Sequence, residues 1–460
     1  MTIDADALSA PEAPAGAIPV TGDGAAATGA AGGLLRPLAF RDFRLVWAGQ
    51  SISLLGDQFH QIALAWLILG LTGSGLALGV VLMAASIPRA ILIIVGGALA
   101  DRVAPRNLML ASDVARGLAV SVVAVLVLTG RAEVPHLVVM ALVFGIADAF
   151  FLPAMQAIIP ALVPTDRLAP ANALVQGTTQ LMTLLGPVAA GVLVAAVGTG
   201  PAFVVDAVSF AIAGIALALV RTGRPGATGA APGASGPRIT EDGPTDDEAG
   251  PRSGLLGEIG AGLSYTFASQ SIRTLVTISA VLNFAITGAF SVGLPWLVEA
   301  HFGADATMFG LIGAGFGLGA LLGAIIAGST ARPPRMGAVL LGIFAGLGVV
   351  VAAVGIAPDP WIVMGLMLPL GVGIGYSNVV SISWLGGHIA PEMRGRVMGL
   401  VMFAGAGLAP ISLAVAGMAI DVIGPALFVV SGLIICATSV GAIVTGAAGA
   451  IDRDAALPAA

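Results

Sequence analysis

Residues 223–254 read GRPGATGAAPGASGPRITEDGPTDDEAGPRSG and separate the chain into two comparable parts. This stretch is rich in Gly, Pro, Ala and acidic residues, so it cannot bury enough apolar surface to fold. Each side of it contains six apolar runs, and a helix needs roughly 20 apolar residues to cross a bilayer. The pattern predicts an all-α membrane protein with twelve transmembrane helices.

The composition is that of a membrane protein and excludes a water-soluble fold. Hydrophobic residues make up 57% of the 460 and charged residues 10%, against about a quarter charged in soluble domains. All 19 basic residues are arginine. The absence of lysine excludes a nucleotide-binding loop that ends in Gly-Lys-Ser/Thr. No catalytic arrangement is present either, so we expect a protein that is not an enzyme and uses no cofactor.

The number of cysteines and the net charge limit which metals and macromolecules the chain can bind. Cys436 is the single cysteine, so neither a disulfide framework nor a thiolate metal site is available, and no metal is expected. A net charge of −6 gives no basic surface for nucleic acid. The expected partners are a small-molecule substrate, protons and the lipid bilayer, and we expect the chain to act as a monomer.

The apolar runs and the polar interruptions give predicted boundaries. The spans lie at about 43–70, 75–100, 107–130, 134–161, 170–198, 201–221, 272–299, 306–329, 336–357, 360–387, 396–420 and 426–448. The predicted domains are a disordered cytoplasmic tail (1–35), a first bundle (36–222), a disordered cytoplasmic linker (223–254), a second bundle (255–449) and a cytoplasmic tail (450–460).

Arginine occurs in every second connection, which predicts the orientation. Short cytoplasmic loops carry the positive excess of a membrane protein, and the alternate connections contain only Arg131. Both termini are therefore predicted to be cytoplasmic, with the chain in the inner (plasma) membrane. The first 33 residues lack the positive start and apolar stretch of a secretory signal.

The two parts of the chain repeat each other. A basic turn follows the second run of each part, DRVAPR (101–106) and TARPPR (330–335), and another follows the fourth, PTDRLAPAN (164–172) and APEMRGRV (390–397). Parallel repeats related by an axis along the membrane normal place a binding site between the halves near the midplane. The predicted architecture is two pseudo-symmetric six-helix bundles that rock about this site.

The segment GGALADRVAPR (96–106) resembles the signature loop of the major facilitator superfamily. Its Gly, Leu, Ala, Asp and two Arg match, while Ala104 and Pro105 replace the usual Gly and Arg. The resemblance implies the major facilitator fold and a cytoplasmic gating latch, extended by the neighbouring Asp113 and Arg116. The latch candidates are Gly97, Asp101, Arg102, Arg106, Asp113 and Arg116. The alternative is that these charges only cap helix ends and follow the charge rule for loops.

Further segments resemble the drug and siderophore exporter branch of that superfamily, which includes enterobactin and macrolide exporters. They include FFLPAMQAIIPALVP (150–164) and AFVVDAVSF (202–210). LLGPVAAG (184–191) resembles the antiporter motif G-P-x-x-G-G: Gly186, Pro187 and Gly191 match and Ala190 departs from it. Met182 also stands where an upstream glycine is expected. The resemblance implies proton-driven export.

Three charges lie near the middle of predicted spans: Asp57, Arg89 and Asp148. Each costs roughly 2.5–3.5 kcal/mol to insert, so each is a functional candidate. Asp57 and Arg89 are at similar depth, and an ion pair between them is geometrically plausible. His60 lies one helical turn from Asp57 and is a candidate to share its proton. A conformational change that alters the surroundings of such groups binds or releases a proton.

Less reactive roles stay open for these residues. Asp57 and Arg89 can form a static pair that orders the first half, and Arg89 can instead contact an anionic substrate. Asp148 can face a cavity or pack its helix, and His60 can be a packing group.

Other polar residues are secondary candidates. Asn283 and Asn378 lie at mid-depth in the second half and are candidates for substrate contact or for bonds between helices. Asp206 and Asp421 fall toward external helix ends, where solvation is cheap.

Together these features predict a secondary active transporter. The leading interpretation is proton-coupled efflux of a small amphipathic molecule (a drug, siderophore or secondary metabolite) by alternating access. Two alternatives stay open: an importer or facilitator of a small solute, and a non-transporting membrane receptor.

Overall fold

The computed structural model of the chain describes residues 33–100, 102–221, 264, 266–267, 269–330, 335–389 and 407–455. The predictions for Asp101, for the linker 223–254 and for most of the first tail lie outside these residues, as does the predicted start of the eleventh span.

The described chain forms thirteen main helices, α1 to α13. They are α1 (Arg41–Thr72), α2 (Gly75–Ala100), α3 (Pro105–Leu128), α4 (Val134–Leu162), α5 (Leu168–Val197), α6 (Thr199–Leu219), α7 (Gln270–His301), α8 (Ala306–Ser329), α9 (Met336–Val354), α10 (Pro360–His388), α11 (Ala409–Ile423), α12 (Ala426–Val444) and α13 (Ala447–Ala455). Eleven helices of this described part are long and apolar enough to cross a membrane, and α11 is a shorter apolar helix.

Two elements differ from the sequence prediction. Helix α7 is not a uniform α-helix, because it contains two π-helical turns, Ala289–Gly293 and Leu297–His301. The segment predicted as a tail from residue 450 begins inside the short helix α13. Asp452 of α13 accepts a hydrogen bond from the Gly337 amide at 2.6 Å, which fastens α13 to the start of α9.

Local chemistry sets several helix ends. Asp305 Oδ1 accepts from the Met308 amide at 3.1 Å and caps α8, and Asp359 caps α10 through the Trp361 amide at 2.9 Å. Side-chain acceptors at this position satisfy amides that have no partner within the helix. Helix α1 ends at Gly73, whose φ of 63° is a left-handed conformation that favours glycine.

The helices pack into two six-helix bundles, as the major facilitator fold requires. In the first, α1 packs on α5 and α6, α2 on α4, and α3 on α4 and α6. In the second, α8 packs on α10, α9 on α10 and α12, and α7 on α11 and α12. The predicted fold class is confirmed.

The halves meet mainly at one face of the bundle. We call the face where α1 begins and α12 ends the terminal face, and the other the opposite face. The most extensive contacts between halves within the described ranges are α5 with α8 and α2 with α11. The α5–α8 contact is close because Gly191 lies against Ala306 and Gly310 against the Pro187 carbonyl; a Cβ at either glycine would collide with that backbone. The opposite face is therefore closed.

Asp421, near the end of α11, joins the halves at the opposite face. Its carboxylate accepts hydrogen bonds from the Ser74 hydroxyl at 2.6 Å, the Gly75 amide at 2.7 Å and the Leu76 amide at 3.0 Å. The second half thus supplies a cap for α2 of the first half. A carboxylate at a helix N-terminus is favoured by the free amides and by the helix dipole.

The first prediction concerns this bond between the halves. Asp421→Ala removes the acceptor, so we expect the closed opposite face to lose about 0.5–2 kcal/mol of stabilisation, the usual range for a lost cap. Distances between spin labels at Leu219 and Ser329, on the terminal face of different halves, should then shift toward shorter values. Replacing Cys436 with serine makes such labelling specific.

Asp305→Ala is the matched control, because Asp305 caps α8 at the same face within one half. Its distance distribution should match that of the unmodified protein. An Asp421→Ala distribution that also matched would contradict the assignment of Asp421 to the closure of the halves.

Candidate transport cavity

A cavity of about 560 Å³ lies between the two halves. Helices α1 to α5 contribute to its lining from the first half, and α7, α8 and α11 contribute from the second. Its charged lining residues are Asp57, Arg89, Arg116 and Asp148. Its uncharged polar lining residues are Gln58, His60, Gln61, Ser86, Thr287 and Ser291. The rest is apolar, with Phe144, Phe290 and Phe309 among the larger side chains.

Asp57 reaches this cavity from the middle of α1. Within the described part of the chain it makes no ion pair with Arg89, so the suggested Asp57–Arg89 pair is not formed, although both residues line the cavity. The groups close enough to act on Asp57 electrostatically are Arg116, Asp206, Asp148 and His60. Asp57 therefore faces the cavity without an ion pair to Arg89, and the nearby Arg116 pairs with Asp113 and Asp148.

Arg116 of α3 is the centre of a buried ionic network. Its Nη2 donates to Asp113 Oδ1 at 2.7 Å and its Nη1 donates to Asp148 Oδ1 at 3.1 Å. Gln50 Nε2 donates to the other Asp113 oxygen at 3.1 Å. The Arg116 guanidinium carbon lies 4.4 Å from the centre of the Phe151 ring, a cation–π contact. Arg116 thus links α3 to α4, and Asp148 is its partner at the cavity wall.

This network corrects the prediction that Asp113 and Arg116 extend a latch in the loop. Both side chains are almost fully buried, at 1% and 4% exposure. Their partners are Gln50 of α1 and Asp148 of α4, inside the first bundle. Spacing along α3 showed that the two residues could pair but could not show which other helices would face them.

The remaining latch candidates occupy the turn between α2 and α3. Arg106 donates to the carbonyls of Leu217 and Ala218 at 2.7 Å each, so it binds the last turn of α6. Arg102 is exposed, Gly97 has open space where a Cβ would stand, and Asp101 lies outside the described residues. The described contacts of Arg106 stay within the first half, and the gating role stays a prediction.

The antiporter-like segment of α5 lies at the junction of the halves. A Cβ at Gly186 would collide with Gln58, the neighbour of Asp57 on α1. The Pro187 side chain lines the cavity, its carbonyl meets Gly310, and Gly191 meets Ala306. These three residues therefore let α5 approach both the cavity wall and the second half.

The two asparagines of the second half are not among the residues that line this cavity. Asn283 is exposed and donates to the Ser279 carbonyl of its own helix at 2.9 Å. Asn378 is also exposed. Thr287 and Ser291 contribute the polar lining of α7 instead, and they follow Asn283 by four and eight residues, along one face of the helix.

Asp206 is the residue whose position was predicted most clearly wrongly from the sequence. It is fully buried rather than solvated at a helix end, and its Oδ2 lies 3.0 Å from Nδ1 of His60. His60, expected beside Asp57 on the same helix, thus has its ion-pair partner on α6. Only the packing of α1 against α6 brings the two together.

Two six-helix halves around a polar and apolar cavity are the architecture of a transporter, and a sequence comparison gives the family. The model of the family described as transmembrane secretion effector matches residues 32–232 and 243–407. The chain belongs to this family. It is a major facilitator superfamily transporter, not an enzyme, as the sequence analysis expected.

The relatives of this chain include efflux proteins. The multidrug efflux pump Tap of Mycolicibacterium fortuitum is 25% identical over 379 residues, which cover 80% of this chain and 87% of Tap. Macrolide efflux protein A of Streptococcus pyogenes is 28% identical over 181 residues, 39% of this chain and 44% of that protein. The chain thus matches less than half the length of the macrolide efflux proteins.

Solved structures share the fold at low sequence identity. A bacterial homologue of the iron transporter ferroportin, in its inward-facing state, has a TM-score of 0.66 and 14% identity, covering 91% of this chain and 99% of that one. A bacterial homologue of the lysosomal transporter Spinster, inward-facing and unoccupied, has a TM-score of 0.58 and 15% identity, covering 90% and 97%.

The second prediction concerns the Arg116 network. Arg116→Met leaves Asp113 and Asp148 without their cation, and loss of one partner of a buried ion pair costs about 3–5 kcal/mol. We expect a clear fall in Tm of the detergent-solubilised protein. Arg131→Met, in an exposed turn of the same half, should leave Tm unchanged.

A second substitution separates charge from packing. Adding Asp113→Asn to Arg116→Met removes one uncompensated carboxylate and should recover part of the lost Tm. Equal Tm values for Arg116→Met and Arg131→Met would show that the network does not stabilise the first half.

Proposed function

We propose that this transporter exports a small amphipathic molecule in exchange for protons, by alternating access. The observation that carries the proposal is that Asp57 lines the cavity between the halves without an arginine within ion-pair distance, among the residues that the structure describes. A carboxylate in this position is free to exchange a proton with whichever compartment the cavity faces. The efflux activity named for Tap and for macrolide efflux protein A supports the direction.

The chemistry of the cavity accounts for the coupling. With Asp57 ionised, the cavity wall and the network behind it contain three carboxylates (Asp57, Asp113 and Asp148) and two guanidinium groups (Arg89 and Arg116), so the net charge is 2 − 3 = −1. A proton adds to the carboxylate and makes it neutral, and loss of that proton restores the charge. Because a carboxylate in a low-dielectric site is far more stable when neutral, rocking that changes its contact with water also changes its proton occupancy. Binding of substrate and binding of a proton then favour different states of the halves.

The cavity lining supports a substrate that is apolar with a few hydrogen-bonding groups. Phe144, Phe290 and Phe309 provide large apolar surfaces, while Gln58 and Gln61 provide donors and acceptors near Asp57. We propose a drug or a secondary metabolite as the substrate class. Arg89 and Asp148 complete the charged lining and take part in coupling or in substrate contact.

The proposed orientation places both termini in the cytoplasm and the chain in the inner membrane. The arginine-rich turns support it, since they belong to the terminal face. With this orientation the closed opposite face is external, so the described state faces inward. We further propose that one chain is the functional unit, because the cavity is complete between its own two halves.

The third prediction tests export and the role of Asp57 together. In an efflux-deficient bacterial host, the protein should lower the accumulation of ethidium or a macrolide relative to empty plasmid. Asp57→Asn removes the exchangeable proton, and a protonophore removes the gradient, so each should return accumulation to the empty-plasmid level.

Asp166→Asn is the matched control, because the Asp166 side chain is 67% exposed in the turn before α5. It should behave like the unmodified protein, with equal amounts of all variants in the membrane. Higher accumulation caused by the protein would indicate import, and efflux that survives both Asp57→Asn and the protonophore would rule out proton coupling through Asp57.

A further inference from the structure

His60 and Asp206 form a buried pair that the cavity chemistry above does not use. Nδ1 of His60 on α1 lies 3.0 Å from Oδ2 of Asp206 on α6. His60 is 7% exposed and Asp206 is fully buried. Neither atom has a hydrogen-bond partner among the described residues, because their contact has the distance of an ion pair but not the geometry of a hydrogen bond. His60 nevertheless lines the central cavity, so the pair connects the interior of the first bundle with the transport path.

Aromatic rings and a glycine shape the surroundings of the His60–Asp206 pair. The His60 ring stacks on Phe144 of α4, with centroids 4.4 Å apart and an angle of 18° between the rings, and it meets the edge of Phe203 of α6 at 5.7 Å. Gly56 lies one turn before His60, and a Cβ there would collide with the side chains of Ser209 and Asp206. Glycine at this position therefore lets α6 bring its carboxylate to α1.

The charges around the pair leave Asp206 dependent on His60. On α1, Asp57 lies one turn away; on α4, Asp148 is held by Arg116 of α3, which also binds Asp113. Arg89 of α2 acts on Asp148. His60 is thus the one cationic side chain within ion-pair distance of Asp206 in the described part of the chain.

A count of charge shows why protons are needed here. The interior of the first bundle contains four carboxyl groups, Asp57, Asp113, Asp148 and Asp206, and two guanidinium groups, Arg89 and Arg116. With all four carboxyl groups ionised and His60 neutral, the net charge would be 2 − 4 = −2. An unbalanced charge in a bilayer interior is costly. Two protons would balance it, and Asp57 accounts for one.

We propose that the His60–Asp206 pair is a second proton-binding site, separate from Asp57, that exchanges its proton with the cavity. Nδ1 of the imidazole lies beside Asp206 within ion-pair distance but without hydrogen-bond geometry. The exchanged proton adds to the free lone pair of the neutral ring and leaves from the same nitrogen. With the proton bound, the pair is an imidazolium and a carboxylate; without it, a neutral imidazole and a carboxylate. The role of this site in transport rests on the proton coupling proposed above. His60 and Asp57 would then be two proton-exchange sites of one transport cycle.

The fourth prediction tests occupancy of this site directly. Full-length protein with ¹⁵N-labelled histidine gives imidazole signals from four histidines, and His60→Gln identifies the signal of His60. At one fixed pH at which all variants are folded, we expect His60 to show mainly the doubly protonated imidazolium pattern, because the proposed site holds a proton beside a carboxylate. Asp206→Asn should shift this signal toward neutral imidazole, because the carboxylate that favours the cation is gone.

Two variants keep the result interpretable. Asp206→Glu keeps a carboxylate and should keep the imidazolium pattern, which guards against a general loss of fold in Asp206→Asn. Asp57→Asn should shift the His60 signal less than Asp206→Asn does, because Asp57 is a neighbour of His60 and not its ion-pair partner. The signal of His136, in the first turn of α4, should be unchanged throughout. Identical His60 signals in the unmodified protein and a folded Asp206→Asn would overturn the proposal.

Transport in proteoliposomes separates this inference from the proposed function. With an imposed pH gradient and ethidium as the probe, the unmodified protein should move ethidium against the direction of proton flow, and His60→Gln should lower the number of protons moved per ethidium. Absence of gradient-driven flux in the unmodified protein would refute the proposed function and not the occupancy measured by NMR. An unchanged proton count in an active His60→Gln variant would refute the exchange role of the pair.

Discussion

An ionised side chain inside a bilayer must find a partner within the protein, and this constraint organises the first half of the molecule. Arg116 satisfies it for Asp113 and Asp148, and the rings of Phe151 and Phe210 make cation–π contacts with the guanidinium group. The network joins α1, α3 and α4 through short polar contacts. The carboxyl groups of Asp57 and Asp206 remain without an arginine partner among the described residues. We assign exchangeable protons to Asp57 and to His60, the neighbour of Asp206.

The second half contributes shape more than charge. Its cavity-facing polar groups are the hydroxyls of Thr287 and Ser291, and its glycines let α8 pack tightly on α5. The first π-helical turn of α7 contains the lining residues Phe290 and Ser291, and π turns often mark functional sites in helices. In the proposed mechanism, the first half therefore carries the proton chemistry and the second half provides a surface that moves against it. The Asp421 cap on α2 connects the two.

Some hypotheses from the sequence gain a physical basis in the structure, and others are replaced. The antiporter-like residues Gly186, Pro187 and Gly191 lie between the cavity and the second half, where small side chains permit close approach. Mid-depth Asp57, Arg89 and Asp148 all reach the cavity, because helices at similar depth in one bundle face a common interior. The Asp57–Arg89 pair does not form. Similar depth does not by itself bring two side chains together, because helix packing decides which sides of α1 and α2 face each other.

The number of spans, the repeat of two halves and the superfamily followed from the sequence alone. So did the boundaries of the spans, to within a few residues wherever the structure describes them. Hydrophobic length and basic turns are local properties, and the bilayer allows few ways to satisfy a helical backbone. The partners of charged residues were decided by tertiary structure. Asp206 looked like a residue near a helix end and is a fully buried neighbour of His60, 146 residues earlier in the chain. Rotation of each helix about its axis decides such pairs, and rotation depends on packing against every neighbour at once, which a single sequence does not display.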